Sequence, residues 1–133
     1  MKKIKTLLLG ALATVALTSA GLLMAQNPAL TRTIVGKGDV SVPGREAVIA
    51  RVEVAPGGKA GRHTHPGDEI SYVLEGEAVL LVDGQPPRAV KAGESFVIPA
   101  GVVHDAHNDS ALPTKLVGVY VVEKGKPLAS PAP

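Results

Sequence analysis

The sequence contains no cysteine, no tryptophan, one phenylalanine (Phe96) and two tyrosines (Tyr72 and Tyr120). Without cysteine the fold holds no disulfide bond, and a lipid anchor attached through an N-terminal cysteine is excluded. With so few aromatic rings, the hydrophobic core must be built from Val, Leu, Ile and Ala side chains. We interpret Tyr72 and Phe96 as members of that core.

Beyond the first few residues the sequence has no excess of positive charge. The formal net charge is +2 and the pI is about 9.0. Of the 14 Lys and Arg residues, Lys2, Lys3 and Lys5 stand at the start, so the remainder carries 11 basic against 12 acidic residues, a net charge of −1. Because no cluster of Lys and Arg follows, the sequence predicts no nucleic-acid partner.

The basic start, Met1–Lys5, precedes a stretch without any charged residue, Thr6–Ala25. This layout is typical of a secretory signal peptide, here residues 1–25, with cleavage after Ala20 or Ala25. The apolar stretch of about 20 residues is also long enough to cross a bilayer as an uncleaved anchor. Both interpretations place the remaining chain in the periplasm or outside the cell, and contact with a membrane requires the uncleaved form.

The chain from residue 31 onward predicts an all-β fold. No apolar repeat of helical period runs over three turns, whereas short β-branched runs alternate with Gly, Pro and Asp turn signals. Regularly spaced short strands are typical of a sandwich or barrel. The predicted strands are Thr31–Val35, Ala47–Val54, Glu69–Leu74, Ala78–Val82, Arg88–Val90, Ser95–Ile98, Val102–Ala106 and Leu116–Val122.

These patterns divide the chain into three parts after the signal segment. We predict an N-terminal arm with an edge strand (26–45), a barrel (46–123) and a proline-rich, disordered tail (124–133). Within the barrel, Asp83-Gly84 predicts a tight hairpin, and Gly76 predicts a bend or bulge inside an apolar run. A chain of this length is sufficient for one compact domain and too short for two.

Three of the four histidines form a pattern with one glutamate. His63 and His65 are two positions apart, so on a strand both imidazoles face one side, about 6.8 Å apart along the chain. After the turn at Pro66–Asp68, Glu69 begins the next strand, and His104 follows a second Pro-x-Gly turn. If these strands meet, the donors suit one divalent transition metal (Fe, Mn, Ni, Cu or Zn) and suit Ca and Mg poorly.

The same residues resemble the two sequence motifs of the cupin superfamily. The first motif is G-x5-H-x-H-x3-E-x6-G here, and the second is G-x5-P-x-G-x2-H-x3-N. The resemblance covers residues 47–122 approximately and is closest to small single-domain bacterial cupins of the quercetin-dioxygenase-like type. The matching residues are Gly57, His63, His65, Glu69, Gly76, Gly93, Pro99, Gly101, His104 and Asn108.

The resemblance implies a double-stranded β-helix, that is, a jelly-roll barrel with one metal ion inside. It implies that His63, His65, Glu69 and His104 are the metal ligands, and that Asn108 satisfies backbone groups at a strand end. Three imidazoles and one carboxylate would leave one or two coordination positions for substrate and dioxygen. Glu69 is also the candidate catalytic residue, as a general base when it is released from the metal.

The activity stays open at this point, because a fold does not fix a function. The leading hypothesis is a dioxygenase-like metalloenzyme, an oxidoreductase acting on a small organic molecule. The alternatives are a non-catalytic metal-binding or small-molecule-sensing cupin, and a sugar-acid isomerase or lyase. The short chain outside the barrel favours an open pocket, and the edge strand Thr31–Val35 favours a homodimer.

Strand parity separates the motif from neighbouring charged residues. His107 has the opposite parity to His104, so we predict that it faces away as a surface residue. Arg62 should likewise face away from the metal ligands. Arg51 and Glu53 share one face of their strand, and if that face points inward, one of them supplies a charge to the pocket.

Overall fold

The computed structural model describes residues 28–133, and every regular element in this range is a strand. No helix long and apolar enough to cross a membrane occurs in this described part. The signal segment predicted over residues 1–25 lies outside the described residues. The strands are β1 (Leu30–Asp39), β2 (Arg45–Val54), β3 (His63–Thr64), β4 (Gly67–Glu75), β5 (Glu77–Val82), β6 (Arg88–Lys91), β7 (Ser95–Ile98), β8 (His104–His107), β9 (Thr114–Glu123) and β10 (Ser130–Pro131).

The strands form two five-stranded sheets, in the orders β1-β2-β9-β4-β7 and β10-β3-β8-β5-β6. All neighbouring strands run antiparallel. Successive parts of the chain alternate between the sheets, as in a jelly roll, which covers one face of each sheet without any helix. The all-β, double-stranded β-helix fold that the sequence predicts is therefore confirmed.

Alternating side chains explain how the sheets bury their inner faces. In β2 and β9, buried and more exposed positions alternate along most of the strand, as a period of two requires. Their inward side chains form one apolar cluster, and inward residues of β4 to β7 form a second. The first cluster holds Val48, Ala50, Val52, Leu116, Tyr120 and Val122, and the second holds Val73, Ala78, Leu80, Val90, Phe96 and Ile98.

All eight predicted strands occur, seven of them with shifted ends. Asp83-Gly84 forms a turn between β5 and β6, in which Gly84 has a positive φ of 79°, but the ladder of these strands begins only at Leu80 and Arg88, so the connection is longer than the tight hairpin that the sequence predicts. Gly76 also has a positive φ, and a Cβ there would lie 2.6 Å from the carbonyl oxygen of Pro113. The bend predicted at Gly76 is therefore confirmed. Because glycine has no side chain, the backbone of Pro113 can lie close to this position.

Tyr72 is not a core residue, contrary to our interpretation, whereas Phe96 is buried. Tyr72 is 49% exposed because Glu69, Ser71 and Val73 are the inward positions of β4. Tyr72 lies three positions after Glu69, which is an odd separation and places the two on opposite faces. The parity that separates His107 from His104 thus also predicts this outcome for Tyr72.

The tail, predicted to be disordered over 124–133, is part of the fold. Strand β10 pairs with β3, and Leu128 packs against the first apolar cluster. The Nε of Arg62 donates a hydrogen bond to the carbonyl oxygen of Pro133 at 2.6 Å. The proline content led to a wrong prediction because composition does not show which contacts a segment makes. The order of this segment comes from the apolar side chain of Leu128 and from the available edge of strand β3.

Candidate metal centre

The four motif residues come together between the two sheets. His63 on β3 lies directly opposite His104 on β8, and His65 follows immediately after β3. Glu69 reaches the same place from β4 in the other sheet. One potential ligand atom of each residue lies within 4.8 Å of the others, and His65, Glu69 and His104 are buried. The geometry therefore could hold a single metal ion.

Each imidazole of the cluster is oriented by a backbone carbonyl group. A carbonyl oxygen only accepts hydrogen bonds, so the Nδ1 atom facing it carries the proton and leaves the Nε2 lone pair free. This is the usual arrangement around metal-binding histidines. The pairs are His63 with Gly61 (2.6 Å), His65 with Leu128 (2.6 Å) and His104 with Val102 (3.0 Å).

The contact between His65 and Glu69 indicates whether the cluster suits a metal ion. The Nε2 of His65 lies 2.9 Å from Oε2 of Glu69, yet this buried nitrogen makes no hydrogen bond. Because its Nδ1 holds the proton, the Nε2 lone pair faces a carboxylate oxygen, which is unfavourable for both. A cation shared by the two atoms removes this conflict, so the donor set fits a transition metal.

The carboxylate of Glu69 is oriented by its neighbours. The hydroxyl of Ser71 donates to Oε1 at 2.7 Å, while Oε2 lies 3.2 Å from Nε2 of His104. One carboxylate oxygen is thus engaged by the protein and the other is directed at the cluster. An outer hydrogen bond of this kind fixes a ligand before the metal arrives.

Electrostatics keep the carboxylate of Glu69 ionised, while at His104 a proton competes with a metal ion. Burial would raise the pKa of Glu69, but its hydrogen-bonded neighbours, His104 above all, outweigh burial and keep the pKa well below its usual range. Burial lowers the pKa of His63. Burial also opposes the charged form of His104, but Glu69 outweighs it and raises the pKa. An ionised Glu69 and a neutral His63 at neutral pH are the forms that bind metals.

The cluster faces two neighbouring cavities, here called the inner and the outer part of the pocket, which share the lining residues Leu30, Arg32, Ala60 and His63. The inner part has a volume of about 30 Å³ and is lined by members of both apolar clusters, among them Leu80, Phe96 and Leu116. His63 also lines the outer part, whose volume is about 380 Å³, within the range of small-molecule sites. Ala129 of the tail borders the outer part, so the tail shapes the entrance.

Two pocket residues were missed by the sequence reasoning. The ring of Tyr120 on β9 lies 4.8 Å from the ring of His65, between centroids, and the Cζ atom of Arg32 on β1 lies 5.5 Å from the Tyr120 centroid. Burial, followed by the charge of Glu69, raises the pKa of Tyr120 to about 12, so its hydroxyl stays protonated. Arg51 and Glu53, the pocket charges that we considered, are exposed on the outer face of β2.

His107 and Asn108 lie outside the cluster. The Nε2 of His107 lies 2.9 Å from Oδ2 of Asp105, and its side chain is half-buried instead of fully at the surface. Asn108 is fully buried, and its Nδ2 donates to the carbonyl oxygens of Val54 (3.0 Å) and Leu112 (2.7 Å). Asn108 thus satisfies backbone groups at strand ends, as the resemblance implied.

A first prediction concerns the tail. Ending the chain at Lys126 removes the carbonyl group of Leu128 that orients His65, and we expect about 10- to 100-fold weaker metal binding, the usual effect of losing such a partner. Competition with a chromophoric chelator measures this affinity.

The matched control removes only Ala132 and Pro133, whose contacts are with Arg62. Its metal affinity should stay within about twofold of that of the full chain, because the carbonyl group on His65 remains. Equal affinities for both shortened chains would contradict the role assigned to Leu128.

A known protein family and several curated proteins match this chain. A family model described as a cupin domain matches residues 50–122, more than half of the 133 residues. A germin-like protein of subfamily 2 from Arabidopsis thaliana is 31% identical over 102 residues, covering 71% of this chain and 47% of that protein. The chain thus spans less than half the length of the curated relatives that it matches first.

Solved structures share the architecture. A protein with a double-stranded β-helix domain from Klebsiella pneumoniae aligns with a TM-score of 0.64 and 24% identity, over 79% of this chain and 88% of that one. A recombinant oxalate oxidase in complex with glycolate aligns with a TM-score of 0.63 and 27% identity, over 80% of this chain and 57% of that one. The first likeness concerns the fold alone.

Proposed function

This chain belongs to the cupin superfamily, and on that basis we propose that it is a metal-dependent, dioxygenase-like enzyme acting on a small organic molecule. One observation carries the proposal. Three imidazoles with their protons fixed on Nδ1 converge with a carboxylate oxygen, beside a pocket that opens outward. A barrel with a purely structural role would need neither these converging donor atoms nor the open pocket beside them.

The roles of the residues follow from their contacts. A divalent transition metal held by His63, His65, Glu69 and His104 would supply a Lewis acid and a template for the substrate. The low pKa of Glu69 favours its role as a ligand, because a strongly stabilised carboxylate is a weak proton acceptor. The apolar walls of the inner pocket keep water away from the reacting groups.

One of the comparisons supports an oxidising enzyme. The oxalate oxidase with which this chain shares 27% identity carries a small oxygen-rich molecule, glycolate, in its structure. The outer pocket, of about 380 Å³, accommodates a ligand of that size or somewhat larger. We further propose that the activity operates outside the cytoplasm, because the basic and apolar start of the chain is typical of an export signal.

Two measurements test this proposal. Elemental analysis of protein purified from its native host should find about one transition metal per chain, as expected for one set of four ligands. Dioxygen uptake should then be measured with flavonols, diketones, thiols and small carboxylic acids as candidate substrates. We expect uptake with at least one of these classes, its loss in Glu69→Gln, and its retention in His107→Ala.

The two measurements separate the alternatives. Native protein without any metal would overturn the metal centre and the enzyme together. Metal-loaded protein that consumes no dioxygen with any candidate would overturn the oxygenase and favour a binding or sensing role. Product formation without dioxygen uptake would favour an isomerase or lyase.

A further inference from the structure

Arg32 occupies an unusual position for a cation. It lies on β1 opposite Val52, a core residue of β2, so its side chain points toward the inside of the sheet. It lines both the inner and the outer part of the pocket, together with His63. The side chain of Arg32 therefore borders the pocket beside the metal centre.

No group of the described chain neutralises Arg32. Within residues 28–133 its Nε is buried without a hydrogen-bond partner, and none of the salt bridges there includes it. Glu69, the acid of the inner pocket, is engaged by Ser71 and the imidazoles. The other cation of the outer pocket, Arg62, is paired with Asp83 at 2.8 Å.

A partly buried guanidinium without an anion is costly. The ring of Tyr120, with its centroid 5.5 Å from Cζ, interacts with the charge, but it is neutral and leaves Nε without an acceptor. These N–H groups form a rigid fork that matches the two oxygens of a carboxylate. An anionic ligand in the pocket would supply both the missing charge and the missing acceptors.

We propose that Arg32 binds the carboxylate of a small monocarboxylic acid whose other end reaches the metal centre. This inference rests on the proposed function and adds the substrate class and the residue that selects it. A single negative charge fits because the pocket offers one unpaired cation among apolar walls, such as Leu30 and Phe96.

The test measures ligand binding, not turnover. Titration calorimetry should be run with lactate, with its neutral analogue lactamide, and with inorganic phosphate, on metal-loaded and on chelator-treated protein. The variant is Arg32→Met, which keeps an apolar stem of similar length. The control is Arg51→Met, since Arg51 is exposed on the outer face of the neighbouring strand β2.

We expect native protein to bind lactate more tightly than lactamide or phosphate. Arg32→Met should weaken lactate binding about 10- to 100-fold, the value of a hydrogen bond to a charged group, and leave lactamide binding and metal content unchanged. Arg51→Met should bind lactate like the native protein. These results would assign carboxylate selection to Arg32.

Other outcomes overturn the inference. Equal lactate affinity in Arg32→Met and native protein, tighter binding of phosphate than of lactate, or no lactate binding up to millimolar concentrations would each do so. Failure of the proposed function looks different, because native protein then contains no metal or, when loaded with metal, consumes no dioxygen. In that case the dependence of lactate binding on Arg32 in the metal-free protein still decides the inference.

Discussion

Replacing His65 by alanine is expected to remove the stabilisation that a bound metal gives this protein. His65 is buried, its Nδ1 is held by the carbonyl group of Leu128, and its Nε2 lies 2.9 Å from Glu69. Without this ligand the site keeps three donors and an uncompensated carboxylate. A metal at 100 times its dissociation constant stabilises the native state by about 2.7 kcal/mol, which corresponds to roughly 10 °C in the melting temperature of a domain of this size.

The measurement is a double comparison of melting temperatures, with and without a strong chelator. Native protein should lose roughly 10 °C on chelation, and His65→Ala should lose almost nothing, because it has no bound metal to release. His107→Ala is the matched control and should keep the chelator effect, since His107 contacts Asp105 and not the cluster. A full chelator effect in His65→Ala would remove His65 from the metal centre.

Much of the fold could be predicted because its determinants are local. The end of β2, Ala50–Val54, alternates apolar and polar side chains, and Asp83-Gly84 specifies its own turn. The contribution of the tail was missed because it depends on a distant strand edge. Leu128 meets His65 across 63 positions of sequence, and no local pattern encodes that contact.

The residues of the candidate site also divide into those that could be predicted from the sequence and those that could not. Its four donor residues could be recognised because two motifs fix their types and spacings, and strand parity explains why His63 and His65 face together. Arg32 could not be recognised, since its inward orientation follows from the pairing of β1 with β2, which the sequence does not display. Within the predicted strand Thr31–Val35 the sequence reveals the orientation of no residue. The inward and outward positions of this strand therefore could not be assigned by counting along it.

The second large effect is expected at Gly67, which the sequence places in a turn but which begins β4. Its conformation is extended, and what requires glycine is the closeness of β9. A Cβ at this position would lie 2.0 Å from the carbonyl oxygen of Val121 and 2.6 Å from the Cα of Val122. Both are backbone atoms of a strand inside a five-stranded sheet, so they cannot rotate away as a flexible side chain would.

We therefore expect Gly67→Ala to cost about 3 kcal/mol or more in the free energy of unfolding, which is roughly 10 °C or more in melting temperature. Metal binding should weaken as well, because Glu69 lies two residues along the same strand and moves with it. Gly38→Ala is the control, since Gly38 also lies in a strand but a Cβ there meets nothing within 4 Å. That variant should stay within about 0.5 kcal/mol of the native protein. Equal melting temperatures for the two variants would mean that β4 and β9 separate without cost, and the position of Glu69 would then need another explanation.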